Sequence, residues 1–202
     1  PAGVTGPGGE QAGGLREVMF VGNNWDGTAD VIESDGDFAE VGRIDIVPDK
    51  ARRLTEIYLN PVKLAYFLGI RLGPGEGHDQ FVDDMYSTPD GTSVVVSRPS
   101  FADVVSLDLT TGRINWRFPV SGYRSDHMAV SPDGKRVAVS ASTSNTVHVL
   151  DIGTGDELGS FKTGDKTHEN VFSNDGKYIW NMSIGEVNTA HDATWLDWTK
   201  GD

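Results

Sequence analysis

Apolar residues in this chain come in short alternating runs of about five, each opened by a polar turn. Thr88-Pro89-Asp90-Gly91 leads into Ser93-Val94-Val95-Val96-Ser97, and Pro132-Asp133-Gly134-Lys135 into Arg136-Val137-Ala138-Val139-Ser140. Asn174-Asp175-Gly176-Lys177 leads into Tyr178-Ile179-Trp180-Asn181-Met182 in the same way. The three aspartates stand 43 and 42 residues apart, and Asp108-Leu109-Thr110-Thr111-Gly112 recurs as Asp151-Ile152-Gly153-Thr154-Gly155 at the same interval. Alternation at period two marks strands, and Asp-Gly between two such runs marks a hairpin. A unit of roughly 40–45 residues holding four strands has the length of one β-propeller blade. The pattern therefore predicts an all-β propeller of four-stranded antiparallel blades.

The third repeat divides into strands at 127–131, 136–141, 146–151 and 157–162, and the second runs likewise from 81 to 120. The first offers three strands, at 17–22, 27–33 and 41–47, which correspond to the second, third and fourth of a blade. The fourth begins at His168 and loses its pattern after Ser183. Blades are thus expected at 15–48, 80–121 and 122–164, with a partial blade at 165–202. About 3.5 blades suggest a segment of a larger, roughly seven-bladed ring, whose missing blades would be its partners.

One insertion, residues 49–79, breaks this rhythm. Residues 49–59 suit an amphipathic helix with Asp49 as cap and Leu54, Ile57 and Tyr58 on one face. Residues 61–68 suit a second helix with Pro61 at its first position. A glycine-rich loop then delivers His78. Insertions between blades emerge on one face of a propeller and shape binding sites there.

The chain has 202 residues, a net charge of −13 and no cysteine. The charge argues against nucleic acid as a partner, since phosphate binding needs a basic face. The missing thiols exclude disulfides and thiolate metal sites. No run reaches the roughly 18 apolar residues of a membrane span. Residues 1–14, rich in Gly, Pro and Ala, read as a disordered leader. A mature N-terminus left by export has this composition, as does a cut internal segment, and the first leans the expectation toward an extracytoplasmic or secreted protein. Arg71, Arg98, Arg113, Arg117 and Arg124 in the middle of the chain leave room for an anionic small ligand.

The stretch His127-Met128-Ala129-Val130-Ser131-Pro132-Asp133-Gly134, with Val147-His148-Val149-Leu150-Asp151, resembles YVTN-type propeller repeats. The resemblance covers residues 81–182 well and 16–48 loosely, and implies fold more than function. The stretch 108–118 also resembles the blade motif of quinoprotein dehydrogenases. It occurs once, and its counterpart at 151–161 has no tryptophan, so a quinone is not expected. A narrower resemblance is to propeller-type polysaccharide lyases of the rhamnose–glucuronate kind. It rests on His78-Asp79-Gln80-Phe81-Val82-Asp83-Asp84, Arg98-Pro99-Ser100, Arg124-Ser125-Asp126-His127 and His168-Glu169-Asn170.

Aligned on the Asp-Gly turns, Asp83-Asp84, Asp126-His127 and His168-Glu169 occupy the same two positions at the start of the innermost strand. Charged groups there need pairing, ligation or water. One reading is a solvated channel mouth with mutual hydrogen bonds, and the other is a ring of acids and bases around a substrate. Under the second, His78, His127, Tyr123 and His168 are the candidate catalytic residues. Arg98, Arg124, Asn24, Trp25, Asp84, Glu169 and His191 are the candidate substrate contacts. The arginines suit a carboxylate, and Trp25 suits a sugar face. His78, His127, His168 and His191 are alternatively ligands for a divalent metal such as calcium or manganese. His148, mid-strand, and Trp116, Trp180 and Phe161, at strand positions, are expected to be structural.

The leading expectation is a lyase that cleaves an acidic, uronate-containing glycan by β-elimination. Its rivals are a non-catalytic propeller that binds a glycan, another small molecule or a protein, and a structural surface-layer repeat protein.

Overall fold

The computed structural model describes residues 16–185. Four antiparallel sheets follow one another along the chain. The first holds β1 (Val18–Asn23), β2 (Thr28–Glu33) and β3 (Glu40–Asp45). After α1 (Lys50–Tyr58) and α2 (Pro61–Leu72) comes a four-stranded blade of β4 (Met85–Ser87), β5 (Ser93–Arg98), β6 (Asp103–Asp108) and β7 (Ile114–Pro119). The next blade is β8 (Ser125–Val130), β9 (Arg136–Ala141), β10 (Thr146–Asp151) and β11 (Glu157–Lys162). The fourth sheet pairs β12 (Thr167–Phe172) with β13 (Ile179–Ser183). Strands in each blade lie in sequence order, as in a propeller.

Period-two alternation decides which neighbour each side chain meets. On β5 and β6, Val94, Val96, Val105 and Leu107 join a core with Ala29, Ile46, Ile57 and Phe67 from the first sheet and the helices. Val95 and Val104 face the other way, into a core with Met128, Val137 and Val139. On β9, Ala138 turns instead toward Val147 and Phe172. Central strands packed on both faces are therefore apolar on both faces, and β5 is buried throughout. Each fully buried valine contributes about 1.5–3 kcal/mol. The outer strand β11 has no such sandwich and is exposed along its length.

The Asp-Gly turns repeat a small hydrogen-bonded box. Asp90 Oδ1 accepts from the Thr88 hydroxyl and Thr92 N–H, and Asp133 Oδ1 from the Ser131 hydroxyl and Lys135 N–H. Asp175 Oδ1 repeats the pattern with Ser173 and Lys177. The glycine after each aspartate has positive φ, 68° at Gly134. A side chain there would be strained and would meet Pro89 of the preceding blade at 2.4 Å.

The insertion differs from expectation in two ways. Asp49 precedes α1 but makes no capping bond, because its carboxylate is drawn to Arg98. The second helix runs four residues further than expected, to Leu72. Asn60 caps it by accepting from the Val62 and Lys63 amides, and Gly73 ends it. Tyr58, expected on the buried face of α1, is exposed, whereas Ile57 is buried. Trp116 and His148 are built into blades as expected. The Trp116 indole donates to Ile152 O, and His148 sits between Ser121 and Glu157. Trp180 and Phe161 are not core residues, being 56% and 37% exposed. Trp180 lies on the face of the β12–β13 sheet away from the third blade, and Phe161 on the outermost strand.

Candidate functional site

Short hydroxyl side chains near the end of each second strand pin it to the inner strand of the next blade. Ser97 Oγ donates to Ser125 Oγ and to Asp126 O, at 3.0 and 2.8 Å. One blade on, Ser140 Oγ pairs with Thr167 Oγ1 at 3.2 Å. This pinning carries Asp83-Asp84, Asp126-His127 and His168-Glu169 into a ladder two residues deep and three blades wide.

Within the ladder, acids face imidazoles of the neighbouring blade. Asp84 Oδ2 accepts from Met128 N–H at 2.7 Å and lies 3.3 Å from His127 Nδ1. Asp126 Oδ1 stands 3.3 Å from His168 Nδ1. The two imidazoles meet edge to face, with ring centroids 4.3 Å apart. Asp126 is 1% exposed and also receives the Arg124 guanidinium and the His127 backbone N–H. Glu169 accepts from the N–H of Asn170, as Asp126 does from its own successor.

The charges are unevenly satisfied. The hydrogen bond that His127 donates to Asp84, opposed by burial and aided by Asp83 and Asp126, raises the His127 pKa to about 9. Burial raises that of Asp83 to about 6, with Asp126 and Asp84 adding to it against His127. Among the described residues, the Asp83 carboxylate makes no hydrogen bond, and His127 Nδ1 is 3.9 Å away. Asp84 is held below its ordinary value despite burial, by His127 and the Met128 N–H. Burial and the carboxylates of Asp84, Glu169 and Asp83 raise the Tyr86 phenol to about 12, and its hydroxyl donates to Met128 O.

Donor atoms of Asp126, His127 and His168 lie within 4.8 Å of one another, as do those of Asp83, Asp84 and His127. These are the groups able to take a divalent cation, which would have to displace the proton that His127 holds at neutral pH.

Beside the ladder, α2 closes a cavity of about 850 Å3 against the rims of the third and fourth sheets. Tyr66 and Ile70 line the helical side, and Arg124, Asp126, Asn145 and Lys166 the blade side. Arg124 also contacts Ser142 and Gln80, and among the described residues its buried Nε has no hydrogen-bond partner.

The expected site residues therefore fall into groups. Asp84, His127, His168 and Glu169 form the ladder, and Arg124 links it to the cavity. Tyr123 stacks on Tyr66, with centroids 3.9 Å apart and planes 12° from parallel. His78 and Trp25 stack on each other at 3.8 Å, next to Asn24. Asn24 is occupied in joining the first sheet to the next blade, accepting from Phe81 and Val82 N–H. Arg98 needs correction as a substrate contact. It is 0% exposed and spans Asp103, Asp49 and Ile46 O between the first sheet and the second blade. Ser97 and Arg98 alternate, so one points to the third blade and the other to the first sheet. His191 lies outside the described residues.

Sequence reasoning did not single out Tyr66, Gln80 or Lys166. Tyr66 continues the apolar i, i+4 spacing of Val62 and Ile70 on α2, so the sequence marks it as one more position of a helix face.

No protein-family model matches this chain, and no curated protein matches it by sequence. Among solved structures it is similar to hydrazine synthase of Kuenenia stuttgartiensis, at 27% identity over 51% of this chain and 29% of that one, with a TM-score of 0.46. It is also similar to a chain of the mitotic checkpoint complex, at 13% identity over 84% of this chain and 44% of that one, with a TM-score of 0.57. The chain spans less than half the length of each. The second likeness is one of fold, and with the blade order it identifies the chain as a β-propeller segment with a short helical insertion.

Proposed function

We propose that this propeller binds an acidic carbohydrate in the cavity between α2 and the blade rims. The observation that carries the reading is Arg124. Its guanidinium lines a cavity of about 850 Å3, held in place there by Asp126, Ser142 and Gln80, and among the described residues its buried Nε has no hydrogen-bond partner. That volume falls among those of small-ligand sites, about 300–1,000 Å3. Lys166 adds a second cation to the same wall, and Tyr66 presents a flat ring across from it. A uronate offers the matching groups: an apolar ring face, hydroxyls and one carboxylate. Calorimetric titration with rhamnose–glucuronate oligosaccharides tests the reading. Binding is expected, and Arg124→Ala and Tyr66→Ala should each weaken it about tenfold, or about 1.4 kcal/mol. Affinity unchanged in both variants refutes it.

Cleavage is a second reading, for a glycan that extends from this cavity past Asp126 to Asp83 and His127, which lie beside it and not in its lining, and it is supported by the opposite consequences of the shifts on those two residues. At neutral pH, Asp83 at about 6 is mostly a carboxylate, and His127 at about 9 an imidazolium. A base and an acid with values on either side of neutrality suit β-elimination. Asp83 takes the C5 proton, the electrons form the C4–C5 double bond, and the C4–O bond breaks as His127 protonates the leaving oxygen. Ultraviolet absorbance from the unsaturated uronate reports this reaction. Binding without that absorbance leaves a non-catalytic carbohydrate-binding propeller.

A further inference from the structure

Two arginines that the carbohydrate reading leaves unused, Arg113 and Arg117, are brought by the fold to a second cavity. It measures about 470 Å3, lies between the start of α1 and the β6–β7 edge of the second blade, and shares no lining residue with the first. Arg52 and Arg53 line it from the helix, and Arg113 and Arg117 from the blade. Four guanidinium groups thus meet at one place in a chain of net charge −13.

Their charge is only partly balanced. Asp103 serves Arg98, Arg117 and Arg53, and Glu56 serves Arg52 and Arg53. Asp49 also lines the cavity, but its carboxylate is bound by Arg98. Counting Arg98, five guanidinium groups face three carboxylates. Among the described residues, the Arg113 side chain has no ion pair and no hydrogen bond. Arg53 is 3% exposed, and its Nε, 3.3 Å from Asp103 Oδ2 without hydrogen-bond geometry, is left unpartnered. Burial, opposed by Asp103 and reinforced by Arg117, lowers the Arg53 pKa.

The helix adds to this excess. Asp49 gives α1 no capping bond, and the first turn holds no acidic residue. Asp49, which precedes α1, and Arg52 and Arg53 of its first turn line the cavity, so the positive end of the helix dipole lies where the arginines gather.

We propose that this cavity binds a tetrahedral oxyanion ester, a phosphate or sulfate group carried on a small molecule. A single carboxylate is satisfied by one guanidinium fork. A tetrahedral group offers acceptor oxygens in several directions, which suits donors converging from a helix N-terminus and from two sides of a cleft. The volume admits a small molecule attached to the anion.

The test is calorimetric titration at low ionic strength with inorganic phosphate, inorganic sulfate, glucose 6-phosphate and glucose 6-sulfate. Arg52→Gln and Arg113→Gln are the informative variants, since Arg52 makes only an exposed pair with Glu56 and Arg113 makes none among the described residues, and circular dichroism checks their folding. At least one ester is expected to bind, and each variant should weaken it about tenfold, with Arg124→Ala leaving it unchanged. Tighter binding of the phosphate ester assigns a phosphorylated ligand, and tighter binding of the sulfate ester a sulfated one. No binding by any of the four probes, or equal affinity in wild type and both variants, overturns the proposal. Because Arg124→Ala acts only on the first cavity, failure here is distinct from failure of the carbohydrate reading.

Discussion

Asp84 and His127 stand 43 residues apart in sequence and 3.3 Å apart in space, carboxylate to imidazole, across the boundary between two blades. The same offset of one blade, 42 residues, joins Asp126 to His168 at the same distance. Each strand start thus contributes an acid or a base to a partner on the next, and the pairing is a product of the repeat.

The first prediction concerns pH. His127 titrates at about 9 in the folded protein, against 6.5 for a free imidazole. The folded state therefore binds its proton more tightly than the unfolded state. The resulting stabilisation is present in full below about pH 6.5 and is lost as pH rises through about 9. Asp83, raised from 3.8 to about 6, acts in the same sense at lower pH, with stability falling as the pH climbs through that range. Melting temperature should therefore decline between pH 6.5 and 9, and His127→Gln should flatten that decline. Equal slopes in the two proteins would exclude the ion pair.

A second prediction follows from the buried network around Asp103, which is 0% exposed and faces Arg98, Arg53 and Arg117. Asp103→Ala leaves three guanidinium groups without their shared carboxylate. Removing one partner of a buried ion pair costs about 3–5 kcal/mol. Urea unfolding should show a loss of that size. Arg98→Lys should also destabilise, because an ammonium cannot span Asp49 and Asp103 as the fork does. A loss below about 1 kcal/mol for Asp103→Ala would place the network among weak surface pairs.

A third prediction tests blade packing. Gly155 has φ +75°, and a Cβ there would lie 2.5 Å from Trp116 Cδ2. Gly155→Ala should therefore destabilise by about 1–3 kcal/mol through backbone strain and displacement of the indole. The Trp116 indole would also lose its bond to Ile152 O, 3.2 Å in the wild type. Thermal unfolding gives the energy, and tryptophan fluorescence reports the movement. An unshifted melting temperature would mean that the indole relaxes without cost.

The blades were legible in the chain because a two-residue alternation and an Asp-Gly turn are local instructions. Strands at 136–141, 146–151 and 157–162 coincide with β9, β10 and β11. The inner-strand positions of Asp84, His127, His168 and Glu169 were legible too, since equal repeat length places equivalent residues side by side. Arg98 shows where this stops. Its strand was evident, but period two lets a side chain face either neighbouring blade, and the choice fell to the half-buried carboxylate of Asp49 and the buried one of Asp103.

By itself, then, the sequence determined the architecture, the position of the insertion, and that Asp83-Asp84, Asp126-His127 and His168-Glu169 stand at equivalent places in successive blades, although Asp83 and Asp84 precede β4 and do not begin it. Only the tertiary structure decided that Asp49 leaves its helix for Arg98, that Tyr66 stacks on Tyr123 beside Arg124, and that Arg113 and Arg117 join Arg52 and Arg53 around one cavity. The physical reason is one of range. Turns and alternation are set by hydrogen bonds and sterics a few residues long, whereas charge pairing and cavity walls depend on which surfaces the folded blades and the inserted helices bring together.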